Sequence, residues 1–317
     1  MSAAPRVALF ADGDDGHARR LIRSFAALGV EAVRLSLKDC GFSLAGNGHG
    51  LELPGFGAAL PDAALVRSVS AGSFEQVTAR LGVLHALREL GVPVCNDARA
   101  IERCVDKSMT IFLLQAAGLP TPPTWTVESR DAAAAIVRRE ARSDRPLVLK
   151  PLFGSRGRGL KLIADGADLP AADEVAGLYY LQHYVAGQGA GWRDWRVFVG
   201  GGRAEAAMIR HGVEWRTNAA LGARCEKVAA EGVFADLAVA AAAAVAAGYA
   251  GVDIIADRDG RHLVLEVNSM PAWQALGRAS GIDIAGAIAR FVAGAIPRRK
   301  ESARLSIPAA AVLDVVP

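Results

Sequence analysis

The chain has 317 residues, a formal net charge of +3 and a hydrophobic content of 52%. This length is enough to bury a sizeable core and predicts two or three subdomains, while the small net charge gives no indication of a nucleic-acid partner. The four cysteines form no CxxC pair and no metal-ligand spacing. They are therefore expected to be reduced thiols in a cytoplasmic protein. No secretory signal is predicted, because the first residues, "MSAAPRVALF", lack a long apolar region. No membrane span is predicted, because the most apolar window is short and rich in alanine.

The first hundred residues alternate strand and helix patterns. "VALF", "EAVRLSL", "ALV" near Leu65 and "VPVCN" are typical of short strands, and residues 18–28 and 74–90 carry apolar positions at helical spacing. This βαβ order predicts a parallel sheet. The loop "ADGDDGH" after the first strand lacks the GxGxxG spacing, and its acids would repel a pyrophosphate. A dinucleotide site is therefore disfavoured.

A predicted helix over residues 106–118 ends at "LPTPPTW", a stiff proline-rich connector that is a candidate domain boundary. Strand patterns predominate beyond it, in "PLVLK", "GLKLI", "YYLQHYV", "WRVFVGG" and "AEAAMIRH". An alanine-rich helix over residues 234–247 then precedes a predicted hairpin over residues 251–268. A last helix over residues 282–295 leads into a tail without a clear pattern.

The predicted hairpin carries an unusual pair of acids. Asp259-Gly260 suits a two-residue type I′ turn, which places Ala256 opposite Leu263 and Asp253 opposite Glu266. Two carboxylates in that position repel each other unless one is protonated or a cation lies between them. Asn268, on the same strand face as Glu266, adds a neutral oxygen, and the three side chains form a ligand set that suits Mg²⁺. The alternative is that both acids are solvated at a sheet edge.

A glycine-rich loop in "LVLKPLFGSRGRGLKL" is the second candidate feature. Lys150 ends the preceding strand, and the glycines expose N–H groups that can cradle phosphate. Arg156 and Arg158 add positive charge. Because strands flank the loop on both sides, it is neither a Walker A loop nor a Rossmann turn. An ordinary hairpin loop is the alternative, but the acids downstream favour nucleotide binding.

Further polar residues lie on later strands, where a solvated face is the default interpretation. Arginines in "RDWRVFVGG" and "MIRHGVEWRTN" can clamp phosphate or carboxylate oxygens. Four tryptophans are expected to pack rather than to stack on a base: Trp192, Trp195, Trp215 and Trp273. His183 and His211 are not expected to bind metal or to act in catalysis.

The order of these motifs resembles the ATP-grasp superfamily, and within it the RimK-like carboxylate–amine ligases. The similarity runs over residues 106–292, from "DKSMTIFLLQAAGLPTPPT" through "LVLKPLFGSRGRGLKL", "YLQHYV", "DWRVFVGG" and "EWRTN" to "GVDII" and "LEVNSMP". Residues 67–110 are similar to tetrahydromethanopterin:α-L-glutamate ligases. The resemblance implies an α/β fold with an N-terminal parallel-sheet domain (1–105), a small ATP-grasp lobe (106–185), a C-terminal lobe (186–295) and a tail (296–317). ATP would lie between the antiparallel sheets of the two lobes.

Site residues are carried over from the resemblance by position. Those implied to bind ATP are Lys107, Lys150, Gly154, Ser155, Arg156, Gly157, His183, Tyr184, Asp194 and Thr217. His183 and Tyr184 would read adenine at a hinge, and Asp194 would lie near the ribose. Arg210, Arg216 and Asn218 would meet the transferring phosphate and the acyl-phosphate intermediate. Asp253, Glu266 and Asn268 match the ligands of Mg²⁺, for which Mn²⁺ is a possible substitute.

The expected reaction is ATP-dependent amide formation through an acyl phosphate, with L-glutamate added to a small-molecule or peptide carboxylate. One-carbon coenzymes of the methanopterin or methanofuran type are the expected small molecules. Nucleic-acid and membrane partners are not expected, and a homo-oligomer is possible. The alternatives are an ATP-grasp phosphotransferase and a catalytically silent nucleotide-binding scaffold. "MPAW" stands where many members of the superfamily have Pro-Gly, and the segment between Arg210 and Arg216 is short. Both departures concern the acceptor.

Overall fold

The N-terminal part of the chain forms a parallel sheet covered by helices. The computed structural model describes residues 3–13, 16–45, 48–154, 157–187 and 191–297. The elements of this part are β1 (Arg6–Phe10), α1 (Gly16–Ala27), β2 (Glu31–Leu35), β3 (Gly41–Phe42), β4 (Leu51–Glu52), β5 (Ala63–Val66), α2 (Phe74–Glu89), β6 (Val94–Cys95) and α3 (Ala98–Val105). The strand order β2-β1-β5-β6 and the parallel pairing confirm the predicted βαβ arrangement. β1 is fully buried from Val7 to Phe10, as expected for a strand covered on both faces.

An antiparallel sheet of four strands follows. The elements of this part are α4 (Lys107–Ala116), β7 (Thr124–Val127), α5 (Arg130–Glu140), β8 (Leu147–Lys150), β9 (Lys161–Ile163) and β10 (Tyr179–His183). The strand order in the sheet is β7-β10-β8-β9. The helix α5 is not predicted by the sequence pattern, which indicates mainly strands in this region. Ser129 caps it by accepting a hydrogen bond from the Ala132 amide, and Ile136 and Val137 are buried against the sheet.

The third sheet is antiparallel and has five strands. The elements of this part are β11 (Trp192–Gly200), β12 (Arg203–Gly212), β13 (Arg224–Val228), α6 (Val233–Ala244), β14 (Tyr249–Ala256), β15 (His262–Asn268), α7 (Gln274–Ser280) and α8 (Ile284–Ala295). The strand order in the sheet is β13-β12-β11-β14-β15. Ala238 and Ala241 of α6 are fully buried in the cluster that covers one face of this sheet. On the opposite face Phe198, Ala206 and Met208 pack in a cluster with α7 and α8, and the rest of that face lines a cleft. In the part of the chain described, no helix combines the length and apolar character needed to cross a bilayer.

The hairpin of β14 and β15 differs from the predicted register near its turn. Ala256 pairs with His262 and not with Leu263, because Asp257 and Arg261 close a three-residue loop in which Gly260 has φ +80°. A bulge in β15 between Val264 and Glu266 then restores the register. The expected pairing of Asp253 with Glu266 is therefore confirmed, although the predicted two-residue turn is wrong.

A buried asparagine joins the N-terminal sheet to this hairpin. The Asn96 side-chain amide donates to the carbonyls of Tyr249 and Ser269, both at 2.7 Å. Its oxygen accepts from the amides of Gly248 at 2.7 Å and Tyr249 at 3.2 Å. Because these contacts grip the start of β14 and the end of β15, Asn96 fixes the base of the hairpin that carries the two acids.

Candidate active site

A cleft that opens to solvent lies between the two antiparallel sheets. Strands β8 and β10 line it from one side, and β11, β12, β14 and β15 line it from the other. The cleft contains these residues singled out from the sequence: Lys107, Lys150, Gly154, Gly157, His183, Tyr184, Asp194, Arg210, Arg216, Thr217, Asn218, Asp253 and Glu266. Ser155 and Arg156 lie outside the described residues. Asn268 lines an adjoining cavity.

The acids of the cleft lie in two cross-strand rows with basic residues. In one row Arg210 of β12 faces Asp194 of β11. In the next, Arg196 of β11 faces Asp253 of β14, which in turn faces Glu266 of β15. Since residues two apart on a strand share a face, both rows point into the same side of the sheet. Opposite charges therefore face each other between β12 and β11 and between β11 and β14, which favours the pairing, whereas β14 and β15 bring two carboxylates together.

Asp253 is compensated mainly by two arginines. The Arg196 guanidinium contacts both carboxylate oxygens, with 2.7 Å between Nη2 and Oδ2, and Arg210 Nη2 lies 3.1 Å from Oδ2. Burial opposes ionisation of Asp253, but the guanidinium groups of Arg196 and then Arg210 outweigh it and lower its pKa. The sequence pattern identifies Arg196 only as a potential clamp. Its pairing with Asp253 depends on strand register between β11 and β14, which are separated by three other elements.

Arg210 is held rigidly within this network. Only 4% of the residue is exposed, and its guanidinium contacts both oxygens of Asp194, with 2.7 Å between Nε and Oδ1. Burial alone would lower the pKa of Arg210, but the carboxylates of Asp253 and Asp194 raise it, so the side chain stays charged. The fixed guanidinium provides a positive charge at a defined place on the cleft wall.

Two lysines supply further positive charge from the opposite side. Lys150 Nζ donates to Gln182 Oε1 at 2.6 Å, and Lys107 Nζ donates to the carbonyls of Leu152 at 2.7 Å and Gly154 at 3.3 Å. Burial lowers the pKa of Lys150 to about 8, and the nearby Lys107 ammonium adds to the shift. Burial also lowers the pKa of Lys107. The Glu266 carboxylate partly opposes the effect of burial on both lysines, and an anion bound beside them would stabilise their charged form further.

The described lining of the cleft carries an excess of positive charge. Its basic residues are Lys107, Lys150, Arg158, Arg193, Arg210 and Arg216, and its acidic residues are Asp194, Asp253 and Glu266. Asp194 and Asp253 are paired with arginines, and Arg216 is paired with Glu214. The cations most available to an anionic ligand are therefore Lys107, Lys150, Arg158 and Arg193. A triphosphate suits this charge distribution.

The predicted metal ligands lie together at the end of the hairpin. Asp253 and Glu266 face each other directly, and the Asn268 amide donates to Glu266 Oε1 at 3.0 Å. No group of three or more His, Cys, Asp or Glu side chains suited to a metal occurs among the described residues. Two carboxylates and an amide are a ligand type that Mg²⁺ takes together with water and substrate phosphates. Arginines contact both oxygens of Asp253, so the Glu266 carboxylate is the member of the set without an arginine partner among the described residues.

The described residues Gly154, Gly157 and Arg158 of the glycine-rich loop line the cleft. Gly157 has φ +69°, and a Cβ at this position would overlap the side chain of Asn218. At Gly154 the nearest atom, on Pro151, would lie at an ordinary 3.5 Å. Gly157 is thus required both for its backbone conformation and for the close approach of Asn218.

His183 ends β10 and Tyr184 follows it, at the positions expected to form a hinge. The His183 ring lies 5.2 Å from the Trp125 ring of β7, and His183 Nε2 is 3.5 Å from Glu140 Oε2 of α5. Trp192 Nε1 donates to the Tyr184 hydroxyl at 2.9 Å. Tyr184 and Trp192 form an aromatic part of the cleft wall.

The tryptophans divide into two groups. Trp195 and Trp273 are buried, as predicted for packing residues. Trp192 is 42% exposed and lines the cleft together with Trp215, whose ring centroid lies 6.2 Å from that of Tyr184. Trp192 begins β11 and Trp215 lies in the segment after β12, so these two tryptophans contact Tyr184 on the cleft wall and lie outside the core.

Comparison with known proteins gives the family and the fold. Residues 104–292 match the RimK-like ATP-grasp domain. A tetrahydromethanopterin:alpha-L-glutamate ligase from Methanococcus maripaludis is 35% identical over 200 residues, covering 61% of this chain and 67% of that protein. The corresponding ligase from Methanosarcina acetivorans is 31% identical over 265 residues, covering 73% and 79%. The ATP-grasp ligase PsnB in complex with its minimal precursor has a TM-score of 0.71 at 23% identity, covering 92% of this chain and 99% of that one.

Proposed function

The chain belongs to the RimK-like ATP-grasp family, and we propose that it is an ATP-dependent carboxylate–amine ligase with L-glutamate as the amine. The observation that carries the proposal is the cleft itself, where fixed cations surround a facing pair of carboxylates. The naming of two relatives as glutamate ligases supports the choice of amine. The acceptor is a carboxylate on a small molecule or peptide.

The reaction has two steps. A carboxylate oxygen of the acceptor attacks the γ-phosphorus of ATP, the bond to the β–γ bridging oxygen breaks, and ADP leaves. The amine nitrogen then attacks the acyl carbon, loses a proton, and releases inorganic phosphate with the electron pair of the C–O bond. Positioning and charge stabilisation dominate phosphoryl transfer, which agrees with a cleft built from lysines and arginines.

Each group of residues has a proposed part in these steps. Lys107 and Lys150 bind the phosphates, and binding restores the charge that burial disfavours. Arg210 stabilises the negative charge that develops on the phosphoryl group, since the acids on either side hold its guanidinium in place. Both oxygens of Asp194 contact Arg210. This favours a positioning role for Asp194 over the ribose contact that the resemblance implies.

Other cleft residues complete the proposed site. Arg216 and Asn218 would contact the acyl phosphate. Thr217 and the glycine-rich loop would contact ATP. Main-chain groups of His183 and Tyr184 bind adenine, because the His183 side chain packs against Trp125. Mg²⁺, or Mn²⁺ in its place, would be held by the hairpin acids and Asn268, and when bound it would neutralise phosphate charge.

The proposal is tested by ADP release and by trapping. The protein is mixed with ATP, Mg²⁺ and L-glutamate against a panel of pterin, furan and peptide carboxylates, and active acceptors are then tested with hydroxylamine in place of glutamate. We expect a hydroxamate, and we expect Glu266→Gln to abolish it. Glu226→Gln is the matched control, because Glu226 lies on β13 and pairs with His211 outside the cleft lining.

The outcomes separate the alternatives. A phosphorylated acceptor that accumulates without an amide would indicate a phosphotransferase. ATP hydrolysis that is unchanged in Glu266→Gln would contradict the metal site and favour a silent scaffold.

A further inference from the structure

A second cavity, of about 420 Å³ and open to solvent, adjoins the cleft on the other side of Lys107. The two spaces share the walls formed by Lys107, Gly154, Leu265 and Glu266. The Lys107 ammonium thus stands between them, held by the loop carbonyls of Leu152 and Gly154. A molecule in the second cavity would reach the proposed phosphate site at this boundary.

The second cavity differs from the cleft in charge. Among its described lining residues, only Lys107 and Glu266 are charged, and both belong to the shared boundary. The rest of the wall is apolar or neutral, with Val69, Val105, Phe153 and Met270 on its apolar side. No lysine or arginine of this lining faces the region away from the boundary. A second anionic group placed against this part of the wall would give up hydration without meeting a cation of the described lining.

Two arginines near this wall are committed to the backbone. Arg67 Nη1 donates to the Met270 carbonyl at 3.0 Å, and Arg80 Nη1 donates to the carbonyls of Ser70 and Ala71 at 2.7 and 3.2 Å. Arg80 is only 8% exposed. These contacts hold the loop after β5 and the segment after β15 in place, and neither arginine lines the cavity.

The apolar side chains at the rim favour an apolar ligand. Phe153 is 67% exposed and Val105 is 41% exposed, and both line the cavity. Met270 and Cys104 add polarizable sulfur atoms that adapt to irregular apolar shapes. A ligand with an uncharged, partly apolar body would cover these surfaces and remove them from water.

We propose that the second cavity holds the body of the acceptor, and that this body is uncharged and partly apolar. The single reacting carboxylate would lie at Lys107, facing the γ-phosphate site across the shared wall. This assignment rests on the proposed ligase function and narrows its substrate class. Acceptor molecules that carry several negative charges are therefore expected to bind weakly and to react slowly.

The charge preference is tested with two probes that differ by one carboxylate. N-benzoylglycine and N-(4-carboxybenzoyl)glycine are titrated calorimetrically into the protein with Mg²⁺ and a non-hydrolysable ATP analogue. We expect the uncharged benzoyl body to bind at least about tenfold more tightly, because the added carboxylate has no partner in the cavity. Equal affinities, tighter binding of the dicarboxylate, or binding of neither compound would overturn the assignment.

A variant with an added charge tests whether the acceptor body lies in the second cavity. Val105→Lys places a cation on the cavity wall and is expected to strengthen binding of the dicarboxylate about fivefold or more while leaving N-benzoylglycine nearly unchanged. Val213→Lys is the control, because Val213 is 80% exposed and lines neither space. An equal effect of both variants would contradict the location.

Hydroxamate formation from the same probes separates the two proposals. Binding with the expected preference but no hydroxamate from any acceptor would count against the ligase reaction while the ligand class of the cavity stands. Hydroxamate formed preferentially from the dicarboxylate would support the reaction and overturn the cavity assignment.

Discussion

Raising the pH from 7 to 9 is expected to weaken ATP binding, because the free protein loses the positive charge of Lys150 in this range. Burial lowers the pKa of Lys150 to about 8 in the absence of phosphates. Bound phosphates favour the ammonium form and raise this pKa, so binding above pH 8 must take up a proton. The affinity therefore falls as the pH rises.

The magnitude follows from the protonated fraction. With a pKa of about 8, roughly nine-tenths of Lys150 carries its proton at pH 7 and roughly one-tenth at pH 9, so the apparent Kd rises about tenfold. Lys107 changes in the same direction, since burial lowers its pKa as well. Loss of the Lys107 charge would make the apparent Kd rise more steeply with pH.

The assay is the Kd of Mg²⁺-ATP measured across pH 7 to 9.5 without acceptor. Lys150→Arg is the informative variant, because a guanidinium stays protonated in this range and the dependence should become shallower. Lys150→Met should bind ATP weakly at every pH. A Kd that is flat for the native protein, or equally steep in Lys150→Arg, would refute the assignment of this lysine to the phosphates.

Three further changes test the fold and the site. Asn96→Ala should lower the free energy of unfolding by about 3–5 kcal/mol in a urea titration, because it leaves several buried backbone groups unpaired; a loss below about 1 kcal/mol would contradict its anchoring role. Gly157→Ala should raise the KM for ATP strongly, whereas Gly154→Ala should not, and equal effects would refute the steric argument. Arg196→Met should lower kcat, because Asp253 loses the bidentate partner that orients it and lowers its pKa, and an unchanged kcat would contradict this.

The hairpin shows how far the sequence predicts the site. The Asp-Gly pair correctly indicates a turn, and the facing of Asp253 and Glu266 is confirmed. The loop is nevertheless one residue longer than predicted, and a bulge at Leu265 compensates for it. Bulges depend on packing against neighbouring strands, so local sequence does not reveal them.

The arginine partners of the acids show the limit of sequence reasoning. A cation beside Asp253 is expected on electrostatic grounds, and the structure supplies Arg196 and Arg210 on one side of it. Which arginines take this place depends on the order and register of β12, β11 and β14, and these are set by tertiary packing. The helix α5 is missed for a related reason, since its apolar face is short and becomes clear only against the sheet.

The central claim is an acyl-phosphate intermediate, and oxygen transfer tests it most directly. An acceptor that releases ADP with L-glutamate is prepared with ¹⁸O in both oxygens of its carboxylate, and the inorganic phosphate formed is analysed by mass spectrometry. The proposed reaction predicts one ¹⁸O atom in each phosphate, because the attacking carboxylate oxygen leaves with it. Phosphate that carries no ¹⁸O while the amide is formed would contradict the account.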